Sequence, residues 1–204
     1  MDFDRATASL IGFAVFAVVN WVAVVQRAKR VEYLAKPAAL VALLIYAATG
    51  PAGSPWLLAA LFLSLCGDVA LMLPADFFVV GLAAFLLAHV AYIIDFEATV
   101  SARAVWLAVV LALTSPLAWR IIRCVGHASL RVPVGIYMVV ISLMVASAAA
   151  SGSALAAAGA VLFFSSDAVI AWNRFVRPFA WAQPVIMVTY HLGQLALATA
   201  LRAS

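Results

Sequence analysis

The chain has 204 residues, of which 12 are Lys or Arg and 8 are Asp or Glu, so charged residues make up 10% of it, against about 25% in soluble domains. Apolar residues make up 68%, which excludes a water-soluble domain, a disordered chain and a disulfide-rich secreted fold. The net charge of +4 would suggest nucleic acid as the partner of a soluble protein. Here the basic residues flank apolar segments, so we expect the membrane bilayer as the partner and no nucleic acid.

Eight apolar segments follow one another along the chain, bounded by charged residues, Gly and Pro. A transmembrane helix needs about 20 residues, so eight helices leave no room for a domain outside the membrane. We expect the first segment to be a retained helix, because no small-residue cleavage site follows it. The pattern predicts an all-α membrane protein with one integral domain over residues 1–204. Its eight transmembrane helices are predicted near residues 9–26, 37–50, 55–74, 77–95, 102–120, 132–150, 153–172 and 179–201.

Three prolines mark predicted helix starts. Pro37, Pro55 and Pro133 each precede an apolar run, and a proline in the first turn costs little because its missing N–H would be unpaired there.

The basic residues are unequally distributed between the two sides that these helices define. Nine lie in the loops after odd-numbered helices and three lie on the opposite side. Because Lys and Arg favour the cytoplasm, we predict both termini on the non-cytoplasmic side of a bacterial inner (plasma) membrane.

The two halves of the chain echo one another. Residues 61–68, LFLSLCGD, resemble residues 160–167, AVLFFSSD, and each segment ends in Asp. The helix that follows each segment holds a His and a Tyr: His89 and Tyr92, then Tyr190 and His191. This echo favours a parallel pseudo-repeat of four plus four helices.

Two acids, Asp68 and Asp167, lie inside predicted helices. An ionisable side chain there costs at least about 2.5–3.5 kcal/mol, so each is a functional candidate. At the α-helical rise both lie roughly 8–9 Å below the cytoplasmic ends of their helices. Seven further polar residues share this layer or lie close to it: Asn20, Tyr137, Gln183 and Lys36 near the carboxyls, and His89, Tyr190 and Gln194 deeper. We predict a polar cavity open to the cytoplasmic leaflet, with two carboxyls near its mouth.

Each of these residues also has a structural interpretation. Lys36 or an arginine can hold Asp68 or Asp167 in an ion pair without any chemistry, and His89 alone on an apolar helix is typical of a packing residue. The chain has no HExxH or HxxxH motif and no cluster of Cys and His, so we expect no metal and no cofactor. The alternative is a metal held from distant helices by Asp68, Asp167, His89 and His191.

The segments around these polar residues resemble a known family. The similarity covers roughly residues 36–200 and preserves the order of its short blocks: Lys36-Pro37, 65–74, 78–92, 162–167, 174–175 and 189–194. In these blocks the chain resembles the YhhN-like lysoplasmalogenase family of polytopic membrane proteins. It departs from the family pattern at Ala88, His191 and Gly193, where Gly, an aromatic residue and Ala are expected.

This resemblance implies hydrolysis of the vinyl ether bond of lysoplasmalogens, which yields a fatty aldehyde and a glycerophospho-alcohol. An enol ether is protonated on its β-carbon and the resulting oxocarbenium ion is captured by water, so the reaction needs a protonated acid and a nearby carboxylate. We assign Asp68 and Asp167 these catalytic roles, in an order that the sequence leaves open, and expect them within about 10 Å of each other.

The other polar residues are predicted to bind or orient the substrate. Lys36 would engage the phosphate of a lysophospholipid-type substrate. His89, Tyr190 and Gln194 would orient water, the ether oxygen or a carboxyl, and the remaining members of the set are Asn20, Tyr137 and Gln183.

Two other functions fit the same residues. A small-solute or lipid transporter, or a lipid-binding membrane protein, could use the buried Asp pair as a proton relay. The second is a lysolipid hydrolase that cleaves an ester bond. The sequence predicts no particular oligomeric state.

Overall fold

The computed structural model describes residues 2–50, 54–73 and 75–203, without the side chains of Asp2 and Phe3. Over these ranges the chain is helical and no strand is present. Eight of the helices described are long and apolar enough to cross a membrane, which confirms the predicted fold class. They are α1 (Asp2–Val25), α2 (Lys29–Ala48), α3 (Pro55–Met72), α4 (Phe78–Asp95), α5 (Val100–Cys124), α6 (Ala128–Ala150), α7 (Ala154–Ala171) and α8 (Ala182–Arg202).

The predicted starts of α2 and α6, near residues 37 and 132, are wrong. Pro37 and Pro133 lie inside their helices, which begin at Lys29 and Ala128. Each proline removes one backbone hydrogen bond from the interior of its helix, and the turns before it are too polar for a hydropathy pattern to include. Pro55 does begin its helix.

Other helix bounds also differ from the prediction. The helix α1 begins at Asp2 rather than near residue 9, and α5 extends beyond 102–120 at both ends. The predicted end of the third helix, residue 74, lies outside the described residues.

Ser54 shows why α3 begins where it does. Its side-chain oxygen accepts from the backbone N–H groups of Trp56 and Leu57, so it caps the helix that Pro55 opens. This combination satisfies donors that have no partner inside the helix.

Neighbouring helices pack in pairs, and α7 and α8 approach most closely at two glycines. A Cβ atom on Gly193 would lie 2.9 Å from the backbone nitrogen of Phe163 and 3.0 Å from the carbonyl oxygen of Gly159. A Cβ atom on Gly159 would lie 2.9 Å from the backbone nitrogen of Leu197. Small residues let helix backbones meet in this way inside membranes, and this contact fixes α7 against α8.

The helix α5 lies at the periphery. Among its residues, all of which the structure describes, Ile121 alone is buried. Pro116 lies inside this helix and leaves the carbonyl of Ala112 without its usual N–H donor. The Ser115 hydroxyl donates to that carbonyl over 3.2 Å, so the interruption leaves no unpaired acceptor.

A π-helical turn, Trp172–Val176, follows α7 directly. It is closed by a hydrogen bond over 3.0 Å from the backbone N–H of Arg177 to the carbonyl of Trp172, five residues earlier. Turns of this kind are rare and are found frequently at functional sites.

Candidate active site

Asp68, on α3, is held by a cation and a phenol. Its Oδ1 atom lies 2.8 Å from the Lys36 Nζ atom of α2, and the two side chains are 2% and 6% exposed. The Tyr190 hydroxyl of α8 donates to Oδ2 over 2.8 Å. Both carboxylate oxygens therefore have a donor, and one of these contacts is an ion pair.

A hydrogen-bonded chain continues from Asp68 towards α4. Gln194 donates through Nε2 to the Tyr190 hydroxyl over 3.4 Å, and the Tyr92 hydroxyl donates to Gln194 Oε1 over 2.5 Å. The side chains of Tyr92 and Gln194 are completely buried. This network links α2, α3, α4 and α8 through polar contacts in an apolar interior.

Asp167, on α7, has different partners. The Tyr137 hydroxyl of α6 donates to its Oδ2 atom. The His89 Nε2 atom of α4 lies 3.8 Å from the same oxygen, which is too far for a hydrogen bond. Asp68 is thus paired with an ammonium group, whereas the side chains around Asp167 are a phenol and an imidazole.

The tautomer of His89 follows from its second contact. Its Nδ1 atom lies 2.5 Å from the carbonyl oxygen of Phe85. A carbonyl only accepts, so Nδ1 carries the hydrogen, and Nε2 of the neutral ring holds a lone pair. Nε2 is buried and has no hydrogen-bond partner among the residues that the structure describes, so its lone pair is not used by the surrounding side chains.

The two carboxyl clusters are adjacent. The Phe163 ring lies 4.8 Å from the His89 ring and 5.3 Å from the Tyr190 ring, centroid to centroid. Phe163 and the two rings that it contacts therefore form an aromatic wall between the two carboxyl clusters.

A cavity of about 680 Å³ opens beside Asp167, between α5 and α6 on one side and α3, α4 and α7 on the other. Its wall is mostly apolar, although Thr114, Ser115 and Ser142 contribute hydroxyls. These hydroxyls donate to carbonyls of their own helices, over 2.8 Å, 3.2 Å and 2.7 Å. Asp167 and Tyr137 are the ionisable side chains of this wall. The volume falls in the range of small-molecule sites.

The cavity differs from the predicted one in two ways. It is apolar with a polar patch, and Asp68 is not one of the residues that line it. The Lys36–Asp68 ion pair is buried in the interior of the helix bundle instead, so the Lys36 ammonium is not free to bind a headgroup.

The structure does not bring every predicted residue together. Asn20 is fully buried on α1, and neither polar atom of its side chain has a hydrogen-bond partner in the described parts of the chain. Gln183 is exposed in the first turn of α8. His191 accepts at Nδ1 from the Trp21 indole over 2.9 Å, so it belongs to the contact between α1 and α8.

Sequence reasoning missed two residues of this region. Tyr92 could have been found from the repeat, because the helix that follows each repeated segment holds both a His and a Tyr. Phe163, which is central to the aromatic wall, is one apolar residue among many and carries no such signal.

The donor set does not favour a metal. Within the part of the chain that the structure describes, no three residues among His, Cys, Asp and Glu are grouped closely enough to hold an ion. The alternative metal site, in which His191 joins the two acids and His89, does not form, because His191 accepts a hydrogen bond from Trp21 instead.

The fold and the site define an integral, multi-pass helical membrane protein with a carboxyl group beside an apolar cavity. The model of the YhhN family matches residues 31–201. The chain belongs to the YhhN family.

Several relatives carry functional names. The chain is 33% identical to "Lysoplasmalogenase TMEM86B" of Rattus norvegicus over 152 residues, which cover 74% of this chain and 64% of the relative. It is 37% identical to a "Lysoplasmalogenase" of Mycobacterium tuberculosis over 132 residues, which cover 59% of this chain and 50% of the relative. The match thus spans less than two thirds of the length of these relatives. No solved structure matches the chain.

Proposed function

We propose that this chain is a membrane hydrolase that cleaves the vinyl ether bond of lysoplasmalogens to a fatty aldehyde and a glycerophospho-alcohol. The observation that carries the proposal is the Asp167 carboxyl, which lines an apolar cavity large enough for a lipid chain. The names of the relatives support the same reaction. The proposal also places the protein in a bacterial plasma membrane.

The first step is protonation of the alkenyl chain. Tyr137 occupies one oxygen of Asp167, so the other oxygen holds the acidic proton and donates it to the β-carbon of the vinyl ether. A C–H bond forms, the C=C π bond is consumed, and positive charge spreads over the α-carbon and the ether oxygen. Asp167 is left as a carboxylate beside this cation and stabilises it.

Water completes the reaction. A water molecule adds to the α-carbon and gives up a proton, which the Asp167 carboxylate takes back, while the lone pair of His89 Nε2 orients the water. In the hemiacetal, Asp167 then gives its proton to the glycerol oxygen as the C–O bond breaks, and it takes up the proton that the hemiacetal hydroxyl loses as the aldehyde C=O bond forms. Asp167 is therefore protonated again at the end of the cycle.

Asp68 is the second carboxyl of the pair. Its contacts with the Lys36 ammonium and the Tyr190 hydroxyl favour the ionised form, so we assign it the role of a fixed carboxylate. Its negative charge stabilises the oxocarbenium ion from the other side of the aromatic wall. Its hydrogen-bonded network with Gln194 holds Tyr190 in place.

Aldehyde release by the purified protein tests this function. We expect aldehyde from lysoplasmalogen and no fatty acid from the corresponding acyl lysolipid, with release lost in Asp167→Asn and reduced in Asp68→Asn. Fatty acid release alone would identify an ester hydrolase. No product from either lipid would favour the transporter, and full activity in both variants would exclude the carboxyl mechanism.

A further inference from the structure

A second cavity, of about 380 Å³, lies at the end of α5 and the start of α6. Its wall includes His127, Arg174 and Phe175. Phe175 also lines the large apolar cavity, so the two spaces adjoin. The second is the more polar, because it contains a guanidinium group and an imidazole.

The predicted phosphate ligand, Lys36, is not available for a headgroup. Its ammonium is buried and lies 2.8 Å from Asp68. A phosphate that accompanies a lipid chain into the apolar cavity therefore needs another cation, and the adjoining space offers Arg174.

The guanidinium of Arg174 is already positioned. It lies 4.0 Å from the centroid of the Phe78 ring, and its Nη2 atom donates to Asp76 Oδ2 over 2.7 Å. This hydrogen bond holds the pKa of Asp76, in the loop between α3 and α4, below its usual value, so the carboxyl stays ionised at neutral pH. A guanidinium has five N–H donors, and those not engaged by Asp76 remain for an oxyanion.

The spacing from the catalytic carboxyl suits a lysophospholipid. Arg174 follows Asp167 by seven residues, of which the last three belong to the π-helical turn, so the two Cα atoms are about 10 Å apart along the axis. In an extended lysoplasmalogen, seven bonds separate the phosphorus from the β-carbon of the vinyl ether, a distance of roughly 9 Å at ordinary bond lengths. A phosphate at Arg174 therefore brings the reacting carbon to the level of Asp167.

We propose that Arg174, with His127 beside it, forms the subsite for the headgroup phosphate of the substrate while the alkenyl chain fills the apolar cavity. This inference rests on the proposed function for its substrate. A phosphate held by a planar guanidinium accepts two parallel N–H donors, so the site fixes the lipid along the cavity as well as binding it.

Steady-state kinetics with two lipids test the subsite. Arg174→Gln is compared with Arg177→Gln, which removes an exposed arginine outside the cavity. The lipids are 1-alkenyl-glycerophosphoethanolamine and 1-alkenyl-glycerol, which lacks the phosphate. We expect Arg174→Gln to raise the KM of the phospholipid about tenfold, as loss of a charged hydrogen bond does, and to leave the KM of alkenyl-glycerol unchanged. An equal rise for both lipids, or an equal rise in Arg177→Gln, would overturn the assignment.

Asp76→Asn separates the subsite from a structural ion pair. It removes the negative charge from the same ion pair, keeps the guanidinium, and so removes an anion that competes with phosphate. We expect the KM of the phospholipid to fall or stay within about twofold. A rise that matches that of Arg174→Gln would show that the ion pair, and not the phosphate, accounts for the effect.

Binding separates the subsite from the activity. The probes are the hydrolysis-resistant 1-alkyl-glycerophosphoethanolamine, 1-alkyl-glycerol and inorganic phosphate, titrated calorimetrically into the solubilised protein. Arg174-dependent preference for the alkyl phospholipid, without aldehyde release from any lipid, would uphold the subsite and reject the proposed hydrolase. Aldehyde release, with lipid binding unchanged in Arg174→Gln, would uphold the proposed hydrolase and overturn the phosphate subsite. Displacement of the phospholipid by inorganic phosphate at equal concentration would identify a free-anion site and overturn the headgroup assignment.

Discussion

The two intramembrane acids differ in what they touch, and this difference separates their roles. Asp68 contacts an ammonium and a phenol, whereas Asp167 contacts a phenol, lies near an imidazole and lines the cavity. Neutralising Asp68 disturbs a network between four helices. Neutralising Asp167 removes an acid from the wall of the candidate site.

Asp167→Asn is expected to lower kcat by about 10²–10⁴-fold, the usual contribution of a general acid, with the protein still folded. The measurement is aldehyde release together with the melting temperature in detergent. Glu97→Gln is the matched control, because Glu97 is an exposed acid beyond the end of α4. Equal activity in the two variants would remove Asp167 from the chemistry.

Lys36→Met is expected to destabilise the protein by about 3–5 kcal/mol, because it leaves the Asp68 carboxylate buried without its cation. Unfolding in a denaturing detergent measures the loss. The double variant Lys36→Met with Asp68→Asn removes both charges and should recover much of the stability. No recovery would mean that the ion pair is not what Lys36 contributes.

The sequence identified both acids because a carboxyl inside an apolar helix is rare, and it left a Lys36 ion pair open as an alternative, which the structure contains. It did not reveal which acid lines the cavity. That depends on how α5 and α6 pack against α7, which hydropathy along a single chain does not determine. For Gln183, likewise, the sequence predicts the depth in the membrane but not which side of α8 the residue occupies, and the structure places it on the exposed side.

At the scale of elements, the contact between α7 and α8 depends on the absence of two side chains. Gly193→Ala would place a Cβ atom 2.9 Å from the backbone of Phe163, so the helices must separate. We expect a loss of about 1–3 kcal/mol, as for other overpacked positions, measured by detergent unfolding. Gly12→Ala is the control, since its Cβ would meet Ala42 at an ordinary 3.8 Å. Equal stability of the two variants would contradict this close packing.

The peripheral helix α5 allows the cavity to be altered with little disturbance of the core. Ala118 lines the cavity and Ala112, on the same helix, is exposed and does not. Ala118→Phe should lower kcat/KM for long alkenyl chains at least about tenfold relative to short ones, and Ala112→Phe should not. A chain-length series measures this, and an unchanged profile in Ala118→Phe would mean that the chain binds elsewhere.

The number of helices was predictable because eight apolar runs of sufficient length are visible in the sequence. The start of α2 was not, because Lys29 and Glu32 pair within its first turn over 2.7 Å and make a polar but helical segment. Pro37 and Pro133 look like boundaries in sequence. In the structure they are interior positions.

In the whole molecule, the partners of the two acids follow the predicted repeat. Asp68 of α3 contacts α2 and α8, while Asp167 of α7 contacts α6 and lies near α4. Exchanging the first four helices with the last four converts one set into the other. This correspondence favours the repeat of four plus four helices, which stays a prediction.

Eight crossings return the chain to the side where it began, so tags at the two termini should report the same compartment. From the basic loops we expect that side to be non-cytoplasmic. A phosphatase reporter, active only outside the cytoplasm, should be active at the N-terminus and at the C-terminus and inactive in the loop after α5. Opposite results at the two termini would contradict eight crossings.

Because of the π-helical turn at Trp172–Val176, the direction in which Arg174 points depends on the exact number of residues in this segment. A π turn accommodates one residue more than the α-helix it interrupts, and each residue of an α-helix rotates the chain by about 100°. Deleting one residue here would let α7 continue in regular register and would carry Arg174 around to another face. Family members one residue shorter at this point should therefore depend less on the phosphate of the substrate than this chain does, which a comparison of their KM values for 1-alkenyl-glycerophosphoethanolamine and 1-alkenyl-glycerol measures.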